Sequence, residues 1–261
     1  MAGADPVWVV TGASSGIGRR TALDLAEEGA RVCAVARRET LLRALVDEMG
    51  GAAAGHSWVE CDVSNRDDVR RLAAHVEEVH GRCDVLVNNA GVGSGAWRAR
   101  DPVAEVRRVM ETNFFGAVHC TAELLALLES TAPSCVVNVA SIAGRVPVPR
   151  AASYSASKFA LVGWSESLWF ELAPRGVNVC VIEPGPLATE GFPMEALRRH
   201  PVLRFVLTDT ERVSRAIRSA VRTRSVSRTA PRWYAAFPIA RTLAPGAFRS
   251  AQRHLARRSL P

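Results

Sequence analysis

The residues that decide the fold stand near the N-terminus and read Val7-Trp8-Val9-Val10-Thr11-Gly12-Ala13-Ser14-Ser15-Gly16-Ile17-Gly18. The apolar run at the start predicts a buried strand, and the residues after Gly18 have the spacing of a helix. Glycines at 12, 16 and 18 let the chain turn tightly and approach a ligand without a Cβ clash, and the N-terminus of the next helix offers free N–H groups to a pyrophosphate. A strand, a glycine-rich turn and a helix in this order therefore predict a nucleotide-binding α/β unit.

Short apolar runs alternate with longer amphipathic stretches up to about residue 183, a rhythm typical of β-α-β units. The runs are rich in Val, Ile, Leu, Cys and Ala, as parallel strands buried on both faces are. The predicted strands are 7–11, 31–36, 57–61, 84–88, 134–140 and 177–183. The predicted helices are 17–28, 39–49, 66–80, 102–130, 153–173 and 209–222. We therefore expect an α/β fold, a single Rossmann-like, doubly wound parallel sheet flanked by helices.

The composition is that of a globular protein, with 48% of the residues apolar and 23% charged. Six cysteines occur without close pairs, several of them inside apolar runs, which predicts reduced, buried thiols with no disulfide and no metal site. No apolar run is long enough to span a membrane, and the first residues lack the basic start and cleavage site of a secretory signal. We expect a cytoplasmic protein in which residues 1–261 form one domain.

The net charge of +7 is concentrated toward the C-terminus. From Arg198 onward the sequence has fifteen arginines and two acidic residues. Such a segment is typical of a solvated helix face, which we favour, but it can also suit an anionic membrane surface, nucleic acid or acidic ligands. Peripheral membrane contact is the main alternative because apolar residues lie among the arginines, although Pro245-Gly246 should interrupt any continuous amphipathic helix. These apolar residues are Phe237, Ile239, Leu243, Phe248 and Leu255. No nucleic-acid-reading module is recognisable, so we expect no nucleic-acid partner.

The chain has a single lysine, Lys158, and it stands four residues after Tyr154, one of only two tyrosines. Residues four apart lie on the same face of a helix and can interact. An ammonium group close to a phenol favours the phenolate, so we expect Lys158 to lower the pKa of Tyr154 from its ordinary value near ~10 toward neutrality. Such a phenol could act in acid–base catalysis. The alternative is that both are ordinary surface residues on a helix.

The turn has the spacing Gly-x-x-x-Gly-x-Gly, and together with Tyr154-x-x-x-Lys158 it resembles the short-chain dehydrogenase/reductase family over roughly residues 7–190. The resemblance implies four catalytic residues: Asn113 interrupts the helix 102–130 to bind a water in a proton relay, Ser141 donates to a substrate carbonyl, and Tyr154 transfers the proton. Lys158 supports Tyr154 and the nicotinamide ribose. Taken singly, Asn113 could be a helix cap and Ser141 a turn residue.

The resemblance also implies the cofactor-binding positions. Asp62 and Val63 match the pair that holds the adenine ring, and Asn88-Asn89-Ala90-Gly91 matches the segment that packs on the adenosine. Pro184-Gly185 followed by Thr189 matches the segment at the nicotinamide, although Thr189 alone could be an N-cap. With Tyr154 and Lys158, the remaining positions are Gly12, Ser14, Ser15, Gly16, Ile17 and Gly18.

The end of the second predicted strand indicates which cofactor is preferred. An NAD-preferring site has an acidic residue there, about 20 residues beyond the glycine turn. This chain has Ala36, followed by Arg37 and Arg38. No carboxylate repels a 2′-phosphate, and a guanidinium can bind one in a bidentate manner, so NADP(H) is expected over NAD(H). We expect Arg37 to make this contact, with Arg38 the more dispensable of the two.

These observations predict an NADP(H)-dependent oxidoreductase that interconverts a carbonyl and a secondary alcohol, on an apolar substrate of the lipid, steroid or polyketide type. Residues 1–186 would form the cofactor-binding and catalytic core, 187–207 a substrate loop and 208–261 a basic C-terminal segment. The alternatives are a double-bond reductase on the same scaffold and a non-catalytic NADP(H)-binding regulator. Surplus apolar surface on the helix 153–173 predicts a homodimer or homotetramer, unless the C-terminal segment covers that surface.

Overall fold

The computed structural model describes residues 5–94, 101–187 and 207–258, and the side chains as far as His254. In these residues a sheet of seven parallel strands has the order β3-β2-β1-β4-β5-β6-β7. The strands are β1 Val7–Thr11, β2 Arg31–Ala36, β3 Ser57–Glu60, β4 Val85–Asn88, β5 Ser134–Val139, β6 Val177–Pro184 and β7 Ser227–Ala230. The fold class and the six predicted strands are confirmed. The edge strand β7 was not predicted, because Ser-Arg-Thr-Ala carries no apolar run.

Helices cover both faces of the sheet. They are α1 Gly16–Glu27, α2 Glu39–Glu48, α3 Arg66–His80, α4 Pro102–Met110, α5 Gly116–Ser130, α6 Ala152–Leu172, α7 Thr210–Arg222, α8 Ala236–Leu243 and α9 Pro245–Arg258. One apolar layer packs α1, α2 and α7 on one face of the sheet, and a second packs α3, α5 and the end of α6 on the other. The six cysteines, buried with free thiols, belong to these interiors. Among the described helices, none is long and apolar enough to cross a membrane.

The predicted helix 102–130 is not one continuous α-helix. It is α4 and α5 joined by a π-helical turn, Glu111–Phe115, with Asn113 buried within it. A π-turn inserts an extra residue into the helical repeat and often marks a functional site. Apolar periodicity alone did not reveal it, because the helix direction continues across the turn.

The chain reverses its direction of winding between β1 and β4, which are neighbours in the sheet. In a doubly wound sheet, the loops that leave such neighbouring strands run to opposite faces and open a crevice at the carboxyl ends of the strands. The glycine turn after β1 and the segment Asn89–Gly91 after β4 flank this crevice. The fold therefore brings together residues that are about 75 positions apart in sequence.

An ion pair between the partly buried Arg145 and the buried Glu183 joins the loop after β5 to the end of β6. Arg145 donates through Nε and Nη2 to Oε1 of Glu183 at 3.0 and 2.8 Å, and it also pairs with Glu166 on α6. Ser227 at the start of β7 donates to the same Glu183 oxygen at 3.1 Å. Burial lowers the Arg145 pKa, but the hydrogen bonds to Glu183 and Glu166 outweigh this and raise it. Arg145 is therefore a permanent cation that holds four elements together.

The C-terminal segment is bound to the core at a second buried carboxylate. Asp24 on α1 is 3% exposed and accepts a hydrogen bond from Ser214 on α7 at 2.6 Å, while Arg218 pairs with it at 3.1 Å. The helix α7 thus packs against α1 although the two are about 190 residues apart in sequence. Because β7 also extends the sheet, the segment after residue 207 is an integral part of the fold.

We predict that acid destabilises the protein through His80. This side chain is 8% exposed and hydrogen-bonds Ser57, and burial, Arg31, His75 and His56 lower its pKa from 6.5 to about 4. The unfolded chain takes up a proton as the pH falls below about 6.5, whereas the folded chain does not until about pH 4. The free energy of unfolding should therefore drop by roughly 3 kcal/mol over this range. Urea unfolding at several pH values measures it.

His80→Gln should remove most of this dependence of the unfolding free energy on pH, and the Gln side chain can still hydrogen-bond Ser57. His254→Gln, at an exposed position, is the matched control and should leave the slope unchanged. Equal slopes for all three proteins would contradict the assignment of the acid sensitivity to His80.

We predict that Arg145→Leu lowers the free energy of unfolding by about 3–5 kcal/mol, because it leaves Glu183 buried without its cation. Arg145→Leu/Glu183→Leu should recover much of this loss, since no unpaired charge remains. Arg70→Leu is the control, because its pair with Asp67 is exposed and worth less than about 1 kcal/mol. Denaturant unfolding measures the stability of all three variants. If Arg145→Leu were as stable as Arg70→Leu, the ion pair would not support the fold.

Candidate functional site

The glycine turn is held against the segment that follows β4. Oγ1 of Thr11 accepts from the backbone N–H groups of Asn89 and Ala90 at 2.9 and 3.0 Å, and Nδ2 of Asn89 donates to the Thr11 carbonyl at 2.9 Å. A Cβ on Gly12 would lie 2.9 Å from Cα of Ala90, so only glycine permits this approach. Gly12 also has a φ of +67°, which glycine adopts without strain.

The start of α1 offers unpaired backbone donors to the crevice. Its N-cap Ser15 makes no side-chain capping bond, and Gly16 and Ile17 line the crevice. The first N–H groups of a helix have no acceptor within the helix and carry a partial positive charge. Gly18 supports the turn from behind, because a Cβ there would lie 2.3 Å from the Gly12 carbonyl oxygen. This arrangement suits a pyrophosphate.

The two arginines after β2 have different neighbours. Arg38 donates to Oγ of Ser14 and of Ser15, each at 2.9 Å, so its guanidinium lies on the glycine turn. Arg37 is exposed, and its Nη1 lies 3.8 Å from a carboxylate oxygen of Asp62. Both arginines line the crevice. The sequence predicts Arg38 to be the more dispensable of the two, but the structure places Arg38 on the glycine turn and Arg37 beside Asp62, the predicted adenine-binding residue.

Val63, which follows Asp62, contributes to the same wall. The Cγ2 atom of Val63 lies 2.6 Å from where a Cβ on Gly116 would stand, so the start of α5 can approach only because residue 116 is glycine. The Val63 carbonyl oxygen also contacts Nδ1 of His119 at 3.2 Å. Asp62 itself accepts hydrogen bonds from the backbone and side chain of Ser64 at 3.0 and 2.7 Å. These contacts fix the residues predicted to hold the adenine ring.

Ser141 and Tyr154 meet at the other end of the crevice. Ser141 follows β5, and its Oγ accepts from the Ala143 N–H at 3.1 Å and donates to the Pro184 carbonyl at 3.4 Å. Burial raises the pKa of Tyr154, while a hydrogen bond with Ser141 lowers it. The predicted lowering of this pKa by Lys158 is wrong for the protein alone, because withdrawal of the phenol from water dominates.

Lys158 is buried, with 4% of its surface exposed. Its Nζ donates to the Val139 carbonyl at 2.8 Å and lies 5.8 Å from the centroid of the Tyr154 ring. Burial lowers the Lys158 pKa to about 8, because the charged form loses its hydration. The i, i+4 spacing does bring the two side chains together, as the sequence predicted.

Asn113 lies behind Gly91 rather than in the wall of the crevice. Its Oδ1 accepts from the Val92 N–H at 2.7 Å, and its Nδ2 donates to the Val92 carbonyl at 3.0 Å and to Ser157 at 3.1 Å. A Cβ on Gly91 would lie 3.3 Å from Asn113 and 3.8 Å from Nζ of Lys158. The π-turn therefore places Asn113 next to Gly91, which also lies close to Nζ of Lys158.

Sequence reasoning missed Tyr234, the second of the two tyrosines. It is 2% exposed, and a Cβ on Gly185 would lie 2.6 Å from its ring. The ring thus supports the Pro184–Gly185 segment from the C-terminal part of the chain. Its rarity in the sequence was a signal that could have marked it, but no spacing rule links it to Gly185. Thr189 lies outside the described residues.

The crevice has a volume of about 920 Å³. Of the predicted site residues that the structure describes, Gly18 and Asn113 stand behind its wall, and the others line it. The lining residues are Gly12, Ser14, Ser15, Gly16, Ile17, Arg37, Arg38, Asp62, Val63, Asn89, Ala90, Gly91, Ser141, Tyr154, Lys158, Pro184 and Gly185. The rest of the lining includes the apolar residues Val92, Ile142, Val148, Ala151 and Leu187, together with Ser94, Arg108 and Thr112. The crevice thus has a cationic end, a phosphate-binding turn and an acid–base pair beside an apolar region.

Known proteins are similar to this chain in sequence and in structure. The chain is 40% identical over 188 residues to the uncharacterized oxidoreductase YxnA of Bacillus subtilis, covering 71% of this chain and 53% of that protein. It is 37% identical over 182 residues to a 3beta-hydroxysteroid dehydrogenase of Mediterraneibacter gnavus, covering 69% and 65%. The chain therefore spans less than two thirds of the length of these relatives.

A crystal structure of a short chain dehydrogenase/reductase from Burkholderia phymatum in complex with NAD superposes with a TM-score of 0.81 at 26% identity, covering 93% of this chain and 95% of that one. The family profile described as short chain dehydrogenase matches residues 6–197, about three quarters of the chain. The chain belongs to the short-chain dehydrogenase/reductase family.

Proposed function

We propose that this protein is an NADP(H)-dependent oxidoreductase that interconverts a carbonyl and a secondary alcohol on an apolar substrate. The observation that carries the proposal is the meeting of Ser141, Tyr154 and Lys158 at one end of a crevice whose other end has the donors for a dinucleotide. A hydrogen-bond donor and a proton donor side by side suit a carbonyl oxygen that gains charge and then a proton. This arrangement favours carbonyl chemistry over double-bond reduction or a regulatory role.

The residues present fit a nicotinamide dinucleotide. The free N–H groups at the start of α1 would hold the pyrophosphate, Asp62 and Val63 the adenine, and Lys158 with Pro184–Gly185 the nicotinamide end. When bound, this cofactor supplies or accepts the hydride. The 2′-phosphate of NADP(H) would lie near Arg37 and Arg38, because Ala36 carries no carboxylate to repel it and both guanidiniums face the crevice.

The chain's own groups would carry the proton. The Ala143 N–H positions Oγ of Ser141, and the hydroxyl would turn from the Pro184 carbonyl to donate to a substrate oxygen. Burial keeps Tyr154 protonated, as a proton donor must be before a carbonyl is reduced. Lys158, with its pKa near 8, is mostly protonated at neutral pH and stabilises the phenolate that remains. Asn113 would extend a proton relay from Lys158 toward solvent.

The apolar region of the crevice indicates the substrate class. Val148, 41% exposed, and Ala151 stand on the approach to Tyr154, with Ile142 and Leu187 beside them. Transfer of a hydrocarbon skeleton from water to an apolar wall is favourable, whereas a strongly polar substrate would lose its hydration there without a replacement. The similarity to a hydroxysteroid dehydrogenase is consistent with a lipid-, steroid- or polyketide-like substrate.

We also propose that the protein is a cytoplasmic homo-oligomer. Phe170 on α6 is 72% exposed and Phe115 on the π-turn is 40% exposed, and surplus apolar surface on these helices needs a partner. The C-terminal segment covers only part of α6, where Arg241 lies over the Phe159 ring. Six buried, free thiols suit a reducing compartment.

We predict that Tyr154→Phe lowers turnover by at least about a hundredfold, because it deletes the proton donor. The substrate would first be found by screening carbonyls and alcohols with NADPH and NADP⁺, following absorbance of the reduced cofactor. Cofactor affinity, measured by fluorescence, should stay nearly unchanged. Tyr234→Phe is the control, because it deletes the other tyrosine hydroxyl of the chain and keeps the ring on Gly185. A Tyr154→Phe enzyme that retained most of its activity would overturn the assignment.

We predict that Arg37→Asp shifts the preference from NADP(H) toward NAD(H) by at least about tenfold, because it replaces a charge-assisted contact with a repulsive charge. Arg38→Ala should weaken NADPH binding and leave NADH binding less affected, since Arg38 lies on the glycine turn. Arg43→Ala, on the exposed face of α2, is the control. Dissociation constants for both cofactors decide the matter, and equal changes for NADPH and NADH would show that neither arginine reads the phosphate.

A further inference from the structure

The orientation of α8 is set by its contacts with the core. Phe237 packs with Tyr234 against Ile142 and Val146. One turn later, Arg241 donates to the Arg145 carbonyl and lies 5.1 Å from the centroid of the Phe159 ring. Residues 237 and 241 therefore define the inner face of this helix.

The outer face of α8 is apolar and exposed. It is formed by Ala236, Ile239, Ala240 and Leu243, which follow the i, i+3, i+4, i+7 pattern of one helix face. Ile239 is 57% and Leu243 80% exposed, and Trp233 on the preceding turn is 51% exposed. A solvated helix normally has polar residues on its outer face. We call Trp233 and these four residues the α8 patch.

The surroundings of the α8 patch are cationic. The sequence has no acidic residue after Glu211, and six arginines follow from Arg232 to the end. Arg232, Arg249 and Arg253 are exposed. Within the described part of the chain, none of these three guanidiniums pairs with a carboxylate. Their charges are thus available to an external anion.

We propose that the α8 patch and its arginines dock on the surface of an anionic lipid bilayer. Such a surface offers an apolar layer to Ile239 and Leu243, an interfacial zone to Trp233 and phosphates to the arginines. Nucleic acid offers the phosphates without a place for the aliphatic side chains. A second copy of this chain, seated face to face, would bring the same cations together and repel.

The patch is linked to the crevice through the inner side of the same segment. Tyr234 supports Gly185, and Gln252 on α9 donates to the Pro147 carbonyl at 2.8 Å, beside Val148. An apolar substrate, the class that the proposed function requires, is concentrated in bilayers. Docking would therefore hold the crevice close to the phase that contains its substrate.

The test is co-sedimentation of the full chain with vesicles of phosphatidylcholine, with and without phosphatidylglycerol. We expect binding to the anionic vesicles that weakens in high salt, and little binding to the neutral ones. Ile239→Asp/Leu243→Asp should weaken binding by at least about tenfold. Val79→Asp, at an exposed apolar position on α3, should bind like the parent chain. Absence of binding by the parent chain, or equal binding by both variants, would overturn the proposal.

A charge-matched pair separates local docking from net charge. Arg249→Gln/Arg253→Gln should weaken binding, whereas Arg70→Gln/Arg71→Gln on α3, with the same loss of charge, should not. Thermal unfolding of each variant shows that it is folded. Equal loss in both pairs would mean non-specific attraction and would overturn the proposal. So would light scattering that shows Ile239→Asp/Leu243→Asp dissociating an oligomer, because a second copy would then be the occupant.

Because binding is read without substrate, this test is independent of the proposed activity. An inactive protein that binds anionic vesicles through the α8 patch would refute the proposed function alone. An active enzyme that ignores vesicles would refute the docking surface alone.

Discussion

A carboxylate that is withdrawn from water must be neutralised or paired, and Glu183 meets this constraint through Arg145. Glu183 directly precedes Pro184–Gly185, and Arg145 stands four residues after Ser141. The ion pair therefore joins the two strand ends between which a substrate carbonyl would lie. Glu166 and Ser227 add contacts to the same pair, so α6 and β7 are bound to it as well. A shift of Arg145 would move Ser141 relative to Gly185.

Burial acts on Tyr154 and Lys158 in opposite directions. It raises the pKa of the phenol and lowers that of the ammonium, so it favours the neutral form of both. The i, i+4 spacing indicates the attraction between ammonium and phenolate, but it does not show that both groups lose their hydration when the chain folds. In the protein alone, the phenol is kept as an acid and Lys158 is held by the Val139 carbonyl.

The parts of the structure that the sequence predicted well are those that repeat. Strands buried on both faces read as continuous apolar runs, and nearly all of the described residues that the motifs singled out line the crevice. The sequence did not reveal features that depend on distant contacts: the edge strand β7 and the ion pair of Arg145 with Glu183. Arg38 shows the same limit. Its position next to Arg37 could not tell which guanidinium reaches Ser14, because the path of the chain after β2 decides that.

The C-terminal segment illustrates how one amphipathic element can serve two surfaces. On its inner side, Tyr234 packs against Gly185 and Arg241 donates to the Arg145 carbonyl. The segment therefore supports the ends of β5 and β6, which the ion pair of Arg145 with Glu183 also joins. Packing of that side leaves Ile239 and Leu243 outside, although each would gain about 1.5–3 kcal/mol from full burial. An apolar face that stays exposed is tolerated only where its cost is small or where a partner covers it. The helix that bears this face also contacts the Arg145 carbonyl, so the exposed face and the loop that carries Ser141 are joined through one packed element.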